Sequence, residues 1–185
     1  MENQEFLDRY ESTLRDGLVK ICSGEGLLDA GDILSSPDID AKWDEYIKDY
    51  VADAVSNFND YSAAAIAWAG FLGMGVAYNW DLNWRLHHKD AYSDYYGRRG
   101  WDDMDEHILH DLLGLDLEGD EAKKISRVMQ SCAYATLGLI SHEGIETQTA
   151  QGFYVLSRSY TVMYGIGAAI ELKRLKYRKV ALPLK

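Results

Sequence analysis

Residues 63 to 78 carry no charged side chain and are rich in alanine and glycine; they read AAAIAWAGFLGMGVAY. A run of this composition must be buried. It includes Gly70, Gly73 and Gly75, and because a glycine inside a helix costs about 1 kcal/mol relative to alanine, we expect a second backbone to approach them closely. The Gly-x-Gly-x-Ala pattern of residues 73–77 returns at residues 165–169. This recurrence predicts two central helices that pack together at small residues.

The remaining sequence predicts one helical domain that spans residues 1–185. With 185 residues and 47% apolar composition, the chain can bury a single sizeable core. It has only two prolines, and no segment alternates apolar and polar residues as a half-buried strand does. We therefore predict an all-α bundle of about five to six helices. The helices are expected near residues 4–22, 40–57, 60–88 and 102–113, from residue 120 onward, and at 145–177.

Three features of the sequence favour a cytoplasmic protein that does not enter a membrane. The apolar run is shorter than the roughly 20 residues that span a bilayer. The first residues have neither a basic flank nor an apolar signal segment. Cys22 and Cys132 each lie among apolar neighbours, which is typical of buried, reduced thiols in the cytosol.

The charges are divided unevenly along the chain, whose net charge is −11. Residues 1–120 hold 26 acidic and 9 basic side chains, whereas residues 121–185 hold 4 acidic and 10 basic ones. Most of the surface should therefore repel nucleic acid. An acidic surface of this kind suits a basic protein partner.

Residues 102–111 concentrate carboxylates and imidazoles in the sequence DDMDEHILHD. At 100° per residue a helix would bring Asp103, Glu106, His107 and His110 to one face, opposite an apolar face. Such side chains are the ligands that divalent metals require. The same face could equally be a solvated, charged surface, so a divalent metal is one of two interpretations.

Part of this segment resembles a known signature. Residues 108–114, ILHDLLG, are similar to the His-Asp motif of the all-helical HD-type metal-dependent phosphohydrolases, in which an apolar pair precedes His-Asp and a glycine follows. The resemblance implies that His110 and Asp111 hold a metal that activates water against a phosphate ester. Those enzymes also use an earlier histidine and a later His or Asp ligand, for which the matches here are His87 or His88 and then His142. His107, on the same predicted face as His110, is the remaining candidate metal ligand.

A second group of candidates surrounds residues 142–146, HEGIE. His142 and Glu146 continue the apolar stripe that includes Leu139 in the preceding helix. Glu146 is also the first residue of a helical stripe that we expect to be buried, with Phe153, Ser157, Tyr160 and Tyr164. Buried polar groups need partners, and an unpaired buried carboxylate has a raised pKa. We therefore expect His142, Glu146 and Glu171 to lie near a pocket, unless the first two simply mark helix ends.

Aromatic side chains cluster between residues 80 and 101, interleaved with charged ones. Amphipathic rings beside arginine are typical of ligand pockets and protein interfaces, and also of the caps of helical cores. The candidate pocket or interface residues are Trp80, Asp81, Trp84, Arg85, His88, Tyr95, Trp101 and Glu146.

The function that these patterns favour is binding of a basic protein partner through the aromatic connection and the neighbouring acidic helix. The alternative is a metal-dependent hydrolase that uses His107, His110, Asp111 and His142. A third possibility is self-assembly into a homo-oligomer through the small-residue helices or the aromatic surface.

Overall fold

The computed structural model describes residues 2–31 and 33–177, and within them it confirms the all-α bundle. These residues form no β-strand, and a single isolated bridge joins Gly97 to Gly100. Five α-helices make up the bundle: α1 (Glu2–Gly24), α2 (Pro37–His87), α3 (Met104–Glu106), α4 (Asp120–His142) and α5 (Ala150–Arg174). Short 3₁₀ turns at Tyr92–Tyr95 and Trp101–Asp103 and a π-helical turn at His107–Leu112 form the connection between α2 and α4.

Helix α2 is folded back on itself at Tyr61, whose backbone angles (φ −138°, ψ 53°) are not helical. The first arm, residues 37–60, lies against the second arm, residues 62–87. The Tyr50 hydroxyl donates to the carbonyl oxygen of Ala65 at 2.5 Å, and Trp80 Nε1 donates to the Asp38 carboxylate at 3.2 Å. In a straight helix the last pair would be about 60 Å apart. The two arms correspond to the two helices predicted near residues 40–57 and 60–88.

The second arm of α2 crosses α5 with the two backbones in contact. A methyl group on Gly73 would lie 2.1 Å from the carbonyl oxygen of Tyr164, and one on Gly167 would lie 1.8 Å from that of Gly70. Only glycine fits at such distances, which is the physical reason for these costly helical residues. The other two glycines of the repeated pattern do not take part: Gly75 faces Tyr95, and Gly165 faces Ile33.

Aromatic side chains join the first arm of α2 to α5. Trp43 stacks on Tyr164 with ring centroids 4.8 Å apart, and its Nε1 donates to the Thr161 hydroxyl at 2.9 Å. The Tyr164 hydroxyl in turn donates to the carbonyl oxygen of Ile39 at 2.7 Å. Burial raises the pKa of the Tyr164 phenol well above its usual value, so these hydroxyls act as neutral hydrogen-bond donors that fix the packing.

Helices α1 and α4 meet at the two cysteines. Cys22 and Cys132 are both fully buried, and their Sγ atoms are 3.7 Å apart without a bond. Both thiols are therefore free.

Within the described part of the chain, one helix is long and apolar enough to cross a membrane. This helix is α2, and 67% of its most apolar window is buried inside the bundle. Core helices pass the same length and composition test.

Candidate functional site

The connection between α2 and α4 is held by polar contacts that begin at a tight turn, residues 97–100. Asp103 is 8% exposed and accepts from the backbone N–H of Arg99 at 3.0 Å and from its guanidinium Nε at 2.9 Å. These hydrogen bonds lower the pKa of the Asp103 carboxyl, because their effect is larger than the opposing effect of burial. A methyl group on Gly97 would lie 2.6 Å from the backbone carbonyl oxygen of Asp103, so the turn packs closely against the backbone of the residue whose carboxylate it binds.

After α3 the backbone passes into a π-helical turn. The N–H of Leu113 donates to the carbonyl oxygen of Ile108 at 2.9 Å, five residues back. Ile108 and Leu109 are buried, and such turns are frequent at functional sites. On the opposite side, the Nδ1 atoms of His107 and His110 each lie 2.8 Å from an oxygen of Asp111.

The structure brings together three of the four predicted metal ligands. His107, His110 and Asp111 line one cavity of about 280 Å³, whereas the exposed His142, at the end of α4, does not line it. Both oxygens of Asp111 already contact imidazole nitrogens. Among residues 2–31 and 33–177, no three or more His, Cys, Asp or Glu side chains are arranged to hold a metal ion. The divalent metal stays a prediction.

A second cavity, of about 250 Å³, lies between the second arm of α2 and α4, and we call it the Asp105 groove. Asp105 is half-buried at its wall and forms no ion pair with any side chain that the structure describes. Desolvation raises the pKa of this carboxyl to about 6, with a contribution from the nearby Glu106. The groove is lined by Ala63, Ala64, Ala67, Trp68, Phe71, Asp105, Ser126 and Gln130.

Aromatic contacts give the groove a rigid wall. Trp68 is half-buried, its Nε1 donates to the carbonyl oxygen of Trp101 at 2.9 Å, and its ring meets Phe71 edge to face at 5.5 Å. The predicted candidate Trp101 is itself 8% exposed, so it supports the groove from beneath. The alanines are small enough to leave the groove open between these rings and Ser126.

Trp80 and Trp84 lie apart from this groove, at the end of α2. Trp80 contacts Asp38 through its Nε1, and the Trp84 ring lies 6.0 Å from Lys42 Nζ and 6.3 Å from the ring of His88. The contacts with Asp38 and Lys42 join the two arms of α2. They do not form a cavity with Asp105.

Tyr95 lies in the core beneath Gly75, where its hydroxyl accepts from Asn79 Nδ2 at 3.2 Å. Burial raises the pKa of its phenol above the usual range. The predicted aromatic interface is therefore divided among the end of α2, the core and the support of the Asp105 groove.

The remaining candidates are surface residues. Asp81 accepts from the Tyr177 hydroxyl at 2.5 Å, and Arg85 is exposed. Glu146 is also exposed, so the buried line predicted through it is wrong. The reason is that α5 begins at Ala150, with Thr149 as its N-cap, and Glu146 lies in the preceding loop.

Glu171, in contrast, is fully buried, and its place near a pocket stays a prediction. Arg174 donates to both of its carboxylate oxygens, at 3.0 and 2.7 Å, and also to Glu121 on α4 at 2.8 Å. Desolvation nevertheless raises the pKa of Glu171 to about 7. The cluster therefore links α5 to α4.

The sequence pattern gave no direct signal for the Asp105 groove. Helical spacing assigned the carboxylates of residues 103 and 106 to one face and left Asp105 unassigned. A three-residue α-helix between a 3₁₀ and a π turn does not keep the 100° spacing on which that assignment depends. A comparison of the chain with protein-family models, with curated proteins and with solved structures gives no match.

Proposed function

We propose that this protein is an interaction module that binds a basic segment of a partner protein through the Asp105 groove. The observation that carries this function is a carboxylate without a cationic partner at the wall of an apolar groove. A lysine or arginine side chain supplies what the groove lacks, because its hydrocarbon stem can lie on alanine and aromatic surface while its charged end reaches Asp105.

The surroundings of the groove support a basic partner. Asp102 and Glu106 lie three residues before and one residue after Asp105, and both are exposed. The first 120 residues carry 26 acidic against 9 basic side chains. An acidic field attracts basic segments from a distance and speeds their association. The same field repels nucleic acid. We also propose a cytoplasmic location, where the adjacent thiols of Cys22 and Cys132, 3.7 Å apart, would stay reduced.

The size of the groove supports an anchor of one or two side chains. Its volume of about 250 Å³ is below the usual range for drug-sized ligands. Binding energy at protein interfaces is concentrated in a few buried anchors, among which arginine is enriched. We therefore expect a short linear segment, with affinity that depends on one basic residue.

Selection of a displayed random peptide library on the protein tests this function. Peptides that also bind Ala64→Phe, in which a phenyl ring fills the groove, are removed by counter-selection. The matched control variant is Ala52→Phe, on the exposed face of the first arm. We expect the selected peptides to share a lysine or arginine next to apolar residues. Neutral or acidic peptides, or a failure to recover any peptide that distinguishes the two variants, would overturn the proposal.

The charge requirement is tested separately with a selected peptide. Asp105→Asn is expected to weaken binding about tenfold, or about 1.4 kcal/mol, when followed by fluorescence anisotropy. Asp102→Asn removes an exposed charge outside the groove and is expected to change affinity less than twofold. Equal losses in both variants would mean that general acidity, and not Asp105, attracts the peptide.

The second candidate function is a metal-dependent hydrolase that uses His107, His110, Asp111 and His142. One observation favours it: histidines that bind metals commonly bond a carboxylate through the other ring nitrogen, and Asp111 meets both Nδ1 atoms. Metal analysis separates the candidates. Stoichiometric zinc, iron or manganese that is lost in His110→Ala would favour the hydrolase, whereas metal-free protein whose melting is unchanged by a chelator would count against it.

A further inference from the structure

A cavity of about 370 Å³ opens between the first turns of α2 and the middle of α5, and we call it the Asp40 cavity. It shares no lining residue with the Asp105 groove. Trp43, Val162 and Ala168 give it an apolar floor, and Asp40 and Asp44 give it a charged wall.

Gly165 lines the cavity, and a side chain at this position would have room to enter it. A methyl group on Gly165 would meet only Ile33 Cδ1, at 3.9 Å, so no close backbone requires glycine here. Gly73 and Gly167 differ, since carbonyl oxygens lie within about 2 Å of the same position. A glycine in the interior of a helix costs about 1 kcal/mol relative to alanine, and at Gly165 no close backbone contact accounts for that cost.

The charged wall lacks a counterion. Asp40 and Asp44 lie one turn apart on α2, are exposed, and form no ion pair with a described side chain. Arg15 also lines the cavity, but its guanidinium contacts Glu11 at 2.8 Å. Partial burial, with a further contribution from repulsion by Asp44, raises the pKa of Asp40.

We propose that the Asp40 cavity binds a small aliphatic amine. An ammonium group has three hydrogen-bond donors, which suits two carboxylates on adjacent helical turns, and the hydrocarbon chain of the amine lies along Val162 and Gly165. The apolar floor distinguishes this ligand from a bare inorganic cation. This inference uses residues outside the Asp105 groove and is independent of the proposed function.

Isothermal titration calorimetry with 1,5-diaminopentane tests the site, with glutarate, a dicarboxylate of the same length, as the control ligand. We expect saturable binding of the diamine and none of glutarate. Gly165→Leu fills the cavity and is expected to weaken binding at least tenfold. Its matched control is Gly138→Leu, since Gly138 is an exposed glycine of α4 with no atom near its Cβ position.

The double variant Asp40→Asn and Asp44→Asn tests the carboxylates without filling the cavity, and it too is expected to lose at least tenfold. Asp105→Asn should leave diamine binding unchanged. The inference is overturned if the diamine does not saturate below about 10 mM, if Gly165→Leu binds as Gly138→Leu does, or if Asp105→Asn weakens binding as much as the double variant. Binding of Nα-acetyl-lysine amide at least tenfold tighter than the diamine would also overturn it, in favour of a protein side chain.

Discussion

At the crossing of α2 and α5 the backbones are so close that a methyl group on Gly167 would lie 1.8 Å from a carbonyl oxygen. In the connection at residues 97–112, by contrast, polar side chains hold the backbone, as Arg99 holds Asp103. The crossing leaves no space and carries no charge. The connection leaves cavities on both sides of its short helical turns, lined by Asp105 and by His107. Close backbone contact therefore fixes the crossing of α2 and α5. The titratable side chains that line cavities lie along the connection instead.

The largest expected effect would come from adding one methyl group at the crossing. Gly167→Ala and Gly73→Ala force the two backbones apart, so we expect each to lower the free energy of unfolding by about 3 kcal/mol or more. Gly165→Ala meets no backbone and should raise it by several tenths to about 1 kcal/mol. Urea unfolding followed by circular dichroism measures all three. Similar losses at the three positions would contradict the observed contacts.

The next prediction concerns the charge that α5 buries beyond the crossing, and its effect depends on pH. Folding raises the pKa of Glu171 from 4.5 to about 7, so the folded protein binds more protons than the unfolded chain between these values. Its stability contribution is therefore present below pH 4.5 and is lost as pH rises through about 7.

Glu171→Gln removes this dependence. Relative to the variant, the wild type should lose up to about 1.4 kcal/mol of unfolding free energy per pH unit across that window. The charges facing Glu171 are Arg174, Glu121 and Asp81, and they are the same in both proteins. If the unfolding free energies of the wild type and Glu171→Gln change in parallel from pH 4 to 8, Arg174 offsets the whole desolvation cost of the buried carboxylate.

In the connection, Asp103→Asn weakens the hydrogen bonds from Arg99 that hold the backbone. Asparagine keeps the shape but loses the charge that Arg99 binds. Because the Arg99 side chain is 77% exposed, we expect a loss of unfolding free energy that is smaller than the loss at the crossing. Hydrogen exchange should rise in residues 97–112 and remain unchanged at the crossing. Arg98→Gln, on an exposed neighbour, is the control and should leave exchange as it is.

The smallest effect is expected at the outer face of the same connection. His110 and Asp111 have side chains that are 62% and 50% exposed, and exposed ion pairs contribute little to stability. His110→Ala should change the unfolding free energy by less than about 0.5 kcal/mol. A loss as large as that of Asp103→Asn would mean that His110 holds the backbone as Arg99 does.

The parts of the fold that were predictable are those in which apolar periodicity determines position. Helix α1 was expected at residues 4–22 and α4 from residue 120, close to their observed bounds of Glu2–Gly24 and Asp120–His142. The apolar stripe of each helix is buried against neighbours over several turns, so an error of one residue would expose it. The glycine pattern likewise pointed to a close contact, although it could not say that Gly75 and Gly165 face elsewhere.

The site was harder to predict because its positions follow from polar contacts and short turns. Asp103 was expected on an exposed acidic face, but hydrogen bonds from Arg99 hold it at 8% exposure. Asp105 was given no role, since its setting depends on Ala64 and Ser126, which come from two other helices. No local pattern encodes a groove between segments so far apart in sequence.

The order of the helices also bears on how the chain folds during synthesis. The small-residue face of the second arm of α2 is covered by α5, the last helix of the described chain to emerge from the ribosome. Until α5 has been synthesised, residues 63–78 lack the helix that covers them. Apolar segments that stay exposed during folding are prone to aggregation. We expect the nascent chain to depend on chaperones until residue 174 has left the exit tunnel.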